Sequence, residues 1–142
     1  MIPVVFINCR LFPFLAWIIS GRKLYETRTR NTLRALVGQR VYLAETGRGA
    51  PVVRASAIIA EVVPVYSRSV WRQLRSAHRV PAGSAYDWQP GARIKYLYRM
   101  ACVAPVPPFT PPEGVRHGRV WMEYTPVPLR VSDSETGGSV NE

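Results

Sequence analysis

The chain has 142 residues, and its 19 lysines and arginines against 9 aspartates and glutamates give a formal charge of +10 at pH 7. This length favours one domain over two, and a hydrophobic content of 47 % excludes disorder throughout. The 13 prolines and 10 glycines favour short strands joined by loops over a helical bundle. The positive charge favours polyanionic partners such as RNA, DNA or an anionic membrane surface. However, 17 of the 19 cations are arginines, which a biased base composition of the genome would also produce.

The C-terminal residues differ in composition from the rest of the chain. We assign residues 1–126 to the folded domain and predict that residues 127–142, which are small, polar and acidic, form a disordered tail. Residues 126–142 carry a net charge of −2, so residues 1–125 carry +12.

Cysteine usage and apolar runs indicate the compartment. Cys9 and Cys102 are too few for a disulfide framework and are not spaced as metal ligands. The apolar run at 11–19 is shorter than the roughly 18 residues of a spanning helix, and the first three residues lack the basic start of a signal peptide. We therefore predict a cytoplasmic protein with no metal, cofactor or membrane partner. The oligomeric state stays open.

Hydrophobic periodicity predicts the elements in chain order. The first half contains a buried strand at 4–7, a helix at 13–20 that ends before Gly21, a strand at 22–28, a helical turn at 33–37 and a strand at 39–44. The second half contains a long strand at 52–65, a helix at 69–79, a strand at 94–103, a proline-rich connector at 105–112 and a strand at 120–124. Regular strand–helix alternation is absent, so we predict an α+β fold: a small mixed β-barrel of about six strands with two or three flanking short helices.

The predicted helix at 69–79 has two distinct faces. Arg68, Arg72, Arg75 and Arg79 fall within an arc of about 60°. Like charges at this spacing repel one another, and a phosphate backbone along the face would replace repulsion with attraction. An ordinary solvated face of an arginine-rich protein is the alternative.

Lys23, Glu26 and Arg28 form a second cluster of charged residues. The three groups could form a structural ion-pair network, in which Arg10 is a further partner for Glu26. They could instead bind RNA, with the cations on phosphate and Glu26 on a base amino group. They could also be catalytic, with Lys23 as base or nucleophile and Glu26 as proton shuttle. Strand alternation places Lys23 and Glu26 on opposite faces unless a bulge or the start of the strand intervenes.

The segment Gly21-Arg22-Lys23-Leu24-Tyr25-Glu26-Thr27-Arg28 resembles the motif of the ASCH family, part of the PUA-like superfamily. The resemblance continues through 38–43 and 96–98 to 118–121, and so covers residues 4–124 in order. It implies a PUA-like β-barrel with flanking helices and a cleft that binds RNA or a nucleoside.

The same resemblance implies two kinds of activity. Some bacterial members are amidohydrolases that act on N4-acetylcytidine with a Lys, a Thr three residues later and a Glu after the later helix. Lys23 matches the first, Glu26 stands where the Thr would be, and the stretch at 78–81 contains no Glu. Other members are ribonucleases or nucleic-acid binders.

These patterns predict that the protein binds RNA or a modified nucleoside in a basic cleft, with DNA as a further candidate ligand. Aromatic residues on charged strands supply stacking partners, and Trp88 is a candidate in a loop. The alternatives are a hydrolase on the same ligands, in which Lys23 and Glu26 are catalytic, and an adaptor for an acidic protein. The predicted nucleic-acid-binding residues are Arg10, Lys23, Tyr25, Glu26, Arg28, Arg68, Arg72, Arg75, Arg79 and Tyr98.

Overall fold

The computed structural model describes residues 2–111 and the backbone of residues 121–124. The predicted domain end at 126 and the predicted tail at 127–142 lie outside the described residues. The described elements are β1 (Ile2–Asn8), α1 (Phe14–Ile19), β2 (Tyr25–Arg28), a 3-10 helix (Arg34–Leu36), β3 (Arg40–Thr46), β4 (Val52–Val65), α2 (Arg68–Gln73), α3 (Arg75–His78), β5 (Lys95–Phe109) and β6 (Trp121–Tyr124).

The strands form one mixed sheet in the order β2-β5-β4-β3-β1-β6. β1 and β3 are parallel, with Val4 opposite Tyr42, and every other neighbouring pair is antiparallel. The sheet curls into a half-barrel flanked by short helices, which confirms the mixed α+β architecture. In the described part of the chain β2 and β6 are the two ends of the strand order, so its hydrogen bonds do not close a barrel.

β5 is longer than the sequence predicts. It continues through Pro105, Pro107 and Pro108 to Phe109, a stretch predicted to be a connector. β2 pairs with β5 only as far as Arg99, and the Met100 amide donates to Leu24 O just before β2; beyond Met100, β5 pairs only with β4 in the described residues. The register with β4 also shifts three times along its length. Prolines are tolerated where one strand edge is unpaired and bulges interrupt the ladder.

The helix predicted at 69–79 is divided into α2 and α3 at Leu74. The Trp71 carbonyl, which a continuous helix would pair with the Arg75 amide, instead contacts Nε2 of His78 at 2.9 Å. The two rings stack with their centroids 3.9 Å apart. The Trp71 carbonyl also accepts from the Leu74 amide at 3.2 Å, so the backbone tightens at Leu74, where α2 ends.

β2 begins at Tyr25, three residues later than predicted. Gly21 has a φ of +80° and turns the chain after α1. The Lys23 amide then donates to Trp17 O at 2.9 Å, and the Leu24 amide donates to Ala77 O at 2.8 Å. The segment at 22–24 is therefore held by α1 and α3 before the strand begins.

Two apolar clusters cover this region of the sheet. The larger packs α1 against β1, β3, β4 and β5. In the smaller, which lies beneath α2 and α3, Trp71 of α2 packs with Val65, Val80 and Leu97. No helix in the described residues is long and apolar enough to span a membrane.

Candidate nucleic-acid interface

A cleft of about 280 Å³ opens between β2 and the loop at 81–92. β2 and the residue that follows it contribute one wall, with Glu26, Thr27, Arg28 and Thr29 in succession. The loop contributes the opposite wall, and α1 and β5 contribute residues between them. The cleft is lined by Phe6, Asn8, Phe14, Glu26, Thr27, Arg28, Thr29, Ala85, Tyr86, Gln89 and Lys95.

Glu26 and Arg28 form an ion pair on the cleft wall. Arg28 Nε donates to Glu26 Oε2 at 3.0 Å, and the two side chains are only 15 % and 9 % exposed, Arg28 first. Arg28 Nη2 also donates to Phe6 O at 2.8 Å, which fixes the guanidinium. Among the described residues Glu26 Oε1 has no hydrogen-bond partner. It is therefore a free acceptor on a nearly buried carboxylate.

Lys95 is the lysine that lines the cleft. The sequence patterns did not identify it. Its Nζ donates to Tyr86 O at 2.6 Å and lies 4.6 Å from the centre of the Trp71 ring. Burial lowers its pKa, against the opposing effect of Asp87. The alternation of β5 could have predicted its burial, because Lys95 lies on the same strand face as the apolar residue Leu97.

Lys23 lies behind the cleft. Its side chain is fully buried, its Nζ donates to His78 O at 2.5 Å, and the same atom lies 4.6 Å from the centre of the Phe14 ring. Burial lowers its pKa to about 8, while Glu26 raises it and Lys95 lowers it further. Lys23 precedes β2, so strand alternation does not separate it from Glu26. Lys23 is not among the residues that line the cleft; its ammonium group contacts Phe14, which does line it.

The two tyrosines predicted for the cleft lie elsewhere. Tyr98 is fully buried in the larger apolar cluster, and its hydroxyl donates to Asn31 Oδ1 at 2.7 Å. Tyr25 packs against the cluster beneath α2, since it faces away from Glu26 on β2. Tyr86 takes their place in the cleft, where Phe14 packs edge-on against its ring at 5.5 Å. Arg10 is exposed and does not line the cleft.

The predicted arginine stripe is divided by the break at Leu74 into two groups on either side of Arg75. Arg68 and Arg72 are exposed and border a hollow of about 230 Å³ with Trp71, Gly83, Asp87 and Trp88; we call this the α2 hollow. Arg79 and Arg22 border a second hollow of about 260 Å³ with Trp17, Ser76, Val80 and Pro81, the α3 hollow. Arg75 lines both.

Asp87 holds the 81–92 loop in place. Its Oδ1 accepts from Trp71 Nε1 at 2.7 Å and from Arg75 Nη2 at 3.1 Å, and its Oδ2 accepts from Gly83 N at 2.8 Å. Burial alone would raise the pKa of Asp87, but these hydrogen bonds outweigh it and hold the pKa well below its usual range. Arg75 is thus the one arginine of the stripe with a carboxylate partner in the described residues.

His78 is a structural residue. Its Nδ1 accepts from Val80 N at 2.9 Å, so the proton lies on Nε2, which donates to Trp71 O. Burial lowers its pKa to about 4, and nearby Lys23 and Arg75 lower it further while Asp87 and the Trp71 hydrogen bond raise it. The described residues contain no group of three or more histidine, cysteine or acidic side chains placed to hold a metal ion.

Comparison with solved structures identifies the fold. The chain matches the crystal structure of an ASCH protein from Zymomonas mobilis at 20 % identity, with 76 % of this chain and 72 % of that one covered and a TM-score of 0.63. A serine-to-alanine and a tyrosine-to-phenylalanine variant of the same protein match at 21 % identity with the same TM-score, and 72 % and 74 % of their chains are covered. No protein-family model matches the sequence, and no curated protein matches it.

Proposed function

We propose that this protein, which has the fold of an ASCH domain, binds RNA or a modified nucleoside by taking a base into the cleft. The free carboxylate oxygen of Glu26 supports this proposal above any other feature. A nearly buried acceptor suits the amino group of a base, and Tyr86 offers an aromatic face beside it.

The cations around Glu26 complete the chemistry of a base site. Arg28 already donates to the other carboxylate oxygen, so the carboxylate is oriented before a ligand arrives. Lys95 uses one donor on the Tyr86 carbonyl and retains others for a carbonyl or ring nitrogen of a base. An acceptor and a donor in one cleft match a base edge that presents both.

The lowered pKa of Lys23 supports a second candidate, a hydrolase on the same ligands. A lysine whose pKa is about 8 is partly neutral near physiological pH, as a base or nucleophile requires. Its burial opposes this role, because the side chain is fully buried and does not line the cleft. Binding is therefore our leading proposal.

The test compares Glu26→Gln with Glu61→Gln, an exposed glutamate on β4 that loses the same charge. RNA oligonucleotides and a panel of nucleosides are titrated against each protein. We expect Glu26→Gln to weaken binding by about tenfold or more, the effect of losing one base contact, and Glu61→Gln to bind as the parent does. Equal affinities for both variants would refute base recognition by Glu26.

The ligands recovered from the same samples show whether the protein only binds them or also hydrolyses them. Mass spectrometry of the recovered ligands detects a lost acyl group or shortened RNA. Products that disappear with Lys23→Met, a variant that keeps the length of the side chain, would establish the hydrolase. Unaltered ligand in every sample would favour the binder.

A further inference from the structure

We infer that the ligand is a single-stranded polynucleotide, several of whose phosphates lie on the arginines of α2 and α3 while one base occupies the cleft. This inference rests on the proposed function and deepens it, because it excludes a free nucleoside as the full ligand. It depends on where the 81–92 loop places the cleft relative to the two hollows.

One loop separates the cleft from the α2 hollow. Tyr86 and Gln89 line the cleft, whereas Asp87 and Trp88 line the α2 hollow on the other side. The two sites also share a layer of packed side chains: Lys95 Nζ, in the cleft, lies 4.6 Å from the Trp71 ring, which borders the hollow. A strand that leaves the cleft across this loop therefore arrives at Arg68 and Arg72.

The hollows offer guanidinium groups that the protein does not neutralise. Three ion pairs are present in the described residues, and of the five arginines that border the hollows only Arg75 belongs to one. Arg68, Arg72 and Arg22 are exposed. Arg79 donates one hydrogen bond, from Nε to Arg22 O at 3.1 Å. Phosphates would relieve the repulsion among these cations and release counterions.

Both hollows also contain a tryptophan, which favours nucleic acid over an acidic protein. In the α3 hollow the guanidinium of Arg22 lies 4.6 Å from the centre of the Trp17 ring. Trp88 borders the α2 hollow. Interleaved arginines and aromatic rings bind backbone and bases of single strands without regard to sequence. An acidic peptide would use the arginines alone.

The two hollows lie on either side of Arg75, which lines both. The hollows are therefore adjacent, and together their exposed arginines can contact more than one phosphate. A mononucleotide that places its base in the cleft reaches the first hollow at most. Affinity should accordingly rise as nucleotides are added.

The experiment measures affinity for a nucleoside, its 5′-mononucleotide and RNA oligonucleotides of two, four and eight residues at several salt concentrations. The parent protein is compared with Arg68→Gln/Arg72→Gln, whose side chains make no hydrogen bond in the described structure. The control is Arg34→Gln/Arg40→Gln, two exposed arginines that border neither the cleft nor a hollow. Thermal melting of all three proteins verifies that they fold.

For the parent and the control we expect the octanucleotide to bind at least about tenfold more tightly than the nucleoside. The Arg68→Gln/Arg72→Gln protein should lose most of this gain in affinity. Its slope of log K against log salt should be smaller by about 1.4, which is about 0.7 for each lost phosphate contact. Its affinity for the nucleoside should be unchanged.

Three results would overturn the inference: affinity that does not increase with length, a salt slope that is unchanged in the double variant, or polyglutamate that competes as well as RNA of equal charge. Failure of the proposed function looks different, because nucleoside binding would then be absent or insensitive to Glu26→Gln while the length dependence could persist.

Discussion

At the scale of single residues, the cleft depends on which side chains are left without partners. Glu26 and Lys95 are buried and Arg28 is partly buried, yet the protein satisfies only part of their hydrogen-bonding capacity. Their remaining donors and acceptors are available to a ligand in the cleft, and exchanging solvent for a fitted ligand at a largely buried group strengthens the hydrogen bond. Lys23 differs from these three residues, because its ammonium group contacts the Phe14 ring and the His78 carbonyl and does not line the cleft.

Tyr86 provides the most direct test of stacking in the cleft. Tyr86→Leu keeps an apolar side chain against Phe14 and removes the aromatic face. Because stacking of one base on an aromatic side chain is worth about 1–3 kcal/mol, we expect RNA affinity to fall by about tenfold. Tyr66→Leu, at a tyrosine that is 70 % exposed outside the cleft, is the matched control. Equal loss of affinity in both variants, measured by fluorescence anisotropy, would contradict the assignment.

The sequence identified Glu26 and Arg28 correctly as neighbours on one strand face, because alternation depends on local geometry alone. It could not identify Lys95 or Tyr86 as their partners. Both come from segments some sixty residues later in the chain, and their approach depends on the pairing of β2 with β5. It did not predict that Tyr98, although opposite Glu26 in the pairing of β2 with β5, is fully buried in the larger apolar cluster.

At the scale of elements, the connection from α2 to α3 determines the shape of the basic surface. The helical period at 69–79 predicts one helix and one stripe of arginines. The stacking of His78 on Trp71 overrides that local preference, as tertiary contacts often do for short helices. The consequence is a bent surface with a hollow on each side of Arg75.

The His78 contacts predict that the protein is destabilised by mild acid. The ordinary pKa of histidine, about 6.5, is lowered to about 4 in the folded state, so the unfolded chain binds more protons between these values. The stabilisation is full above pH 6.5 and is lost as the pH falls towards 4, by about 3 kcal/mol at most. Urea unfolding at several pH values measures it.

The variant His78→Gln retains an amide donor for Trp71 O and has no titrating ring. We expect it to be less stable at pH 7 and to show a smaller fall in unfolding free energy between pH 6.5 and 4. An identical fall in the parent and the variant would assign the acid sensitivity to other groups.

At the scale of the whole molecule, the strand order explains what the sequence could and could not predict. Hydrophobic patterns located most strands and both main helical regions, because each pattern reflects burial of one face or both. They did not predict that β1 lies beside β3 in parallel and beside β6 in antiparallel. Pairing between distant strands leaves no local signal.

Truncation of the chain tests this arrangement. A protein that ends at residue 111 retains the cleft and both hollows, which β1–β5, α1–α3 and their loops supply. It lacks β6, so the β1 edge, with its apolar run Pro3-Val4-Val5-Phe6-Ile7, becomes unpaired. Exposed apolar edge strands promote association between chains. We expect the truncated protein to aggregate in light scattering while soluble fractions still bind RNA; a fully monomeric truncated protein would contradict this role of β6.

The position of β1 also has a consequence for synthesis on the ribosome. β1 pairs with β3, some forty residues later in the chain, but its other edge waits for β6, which is translated well after β3. Because translation proceeds at about 5–20 residues per second, the nascent chain carries an open apolar edge for several seconds. Chaperones that cover exposed strands during translation should therefore influence the yield of this protein more than its refolding from denaturant at high dilution.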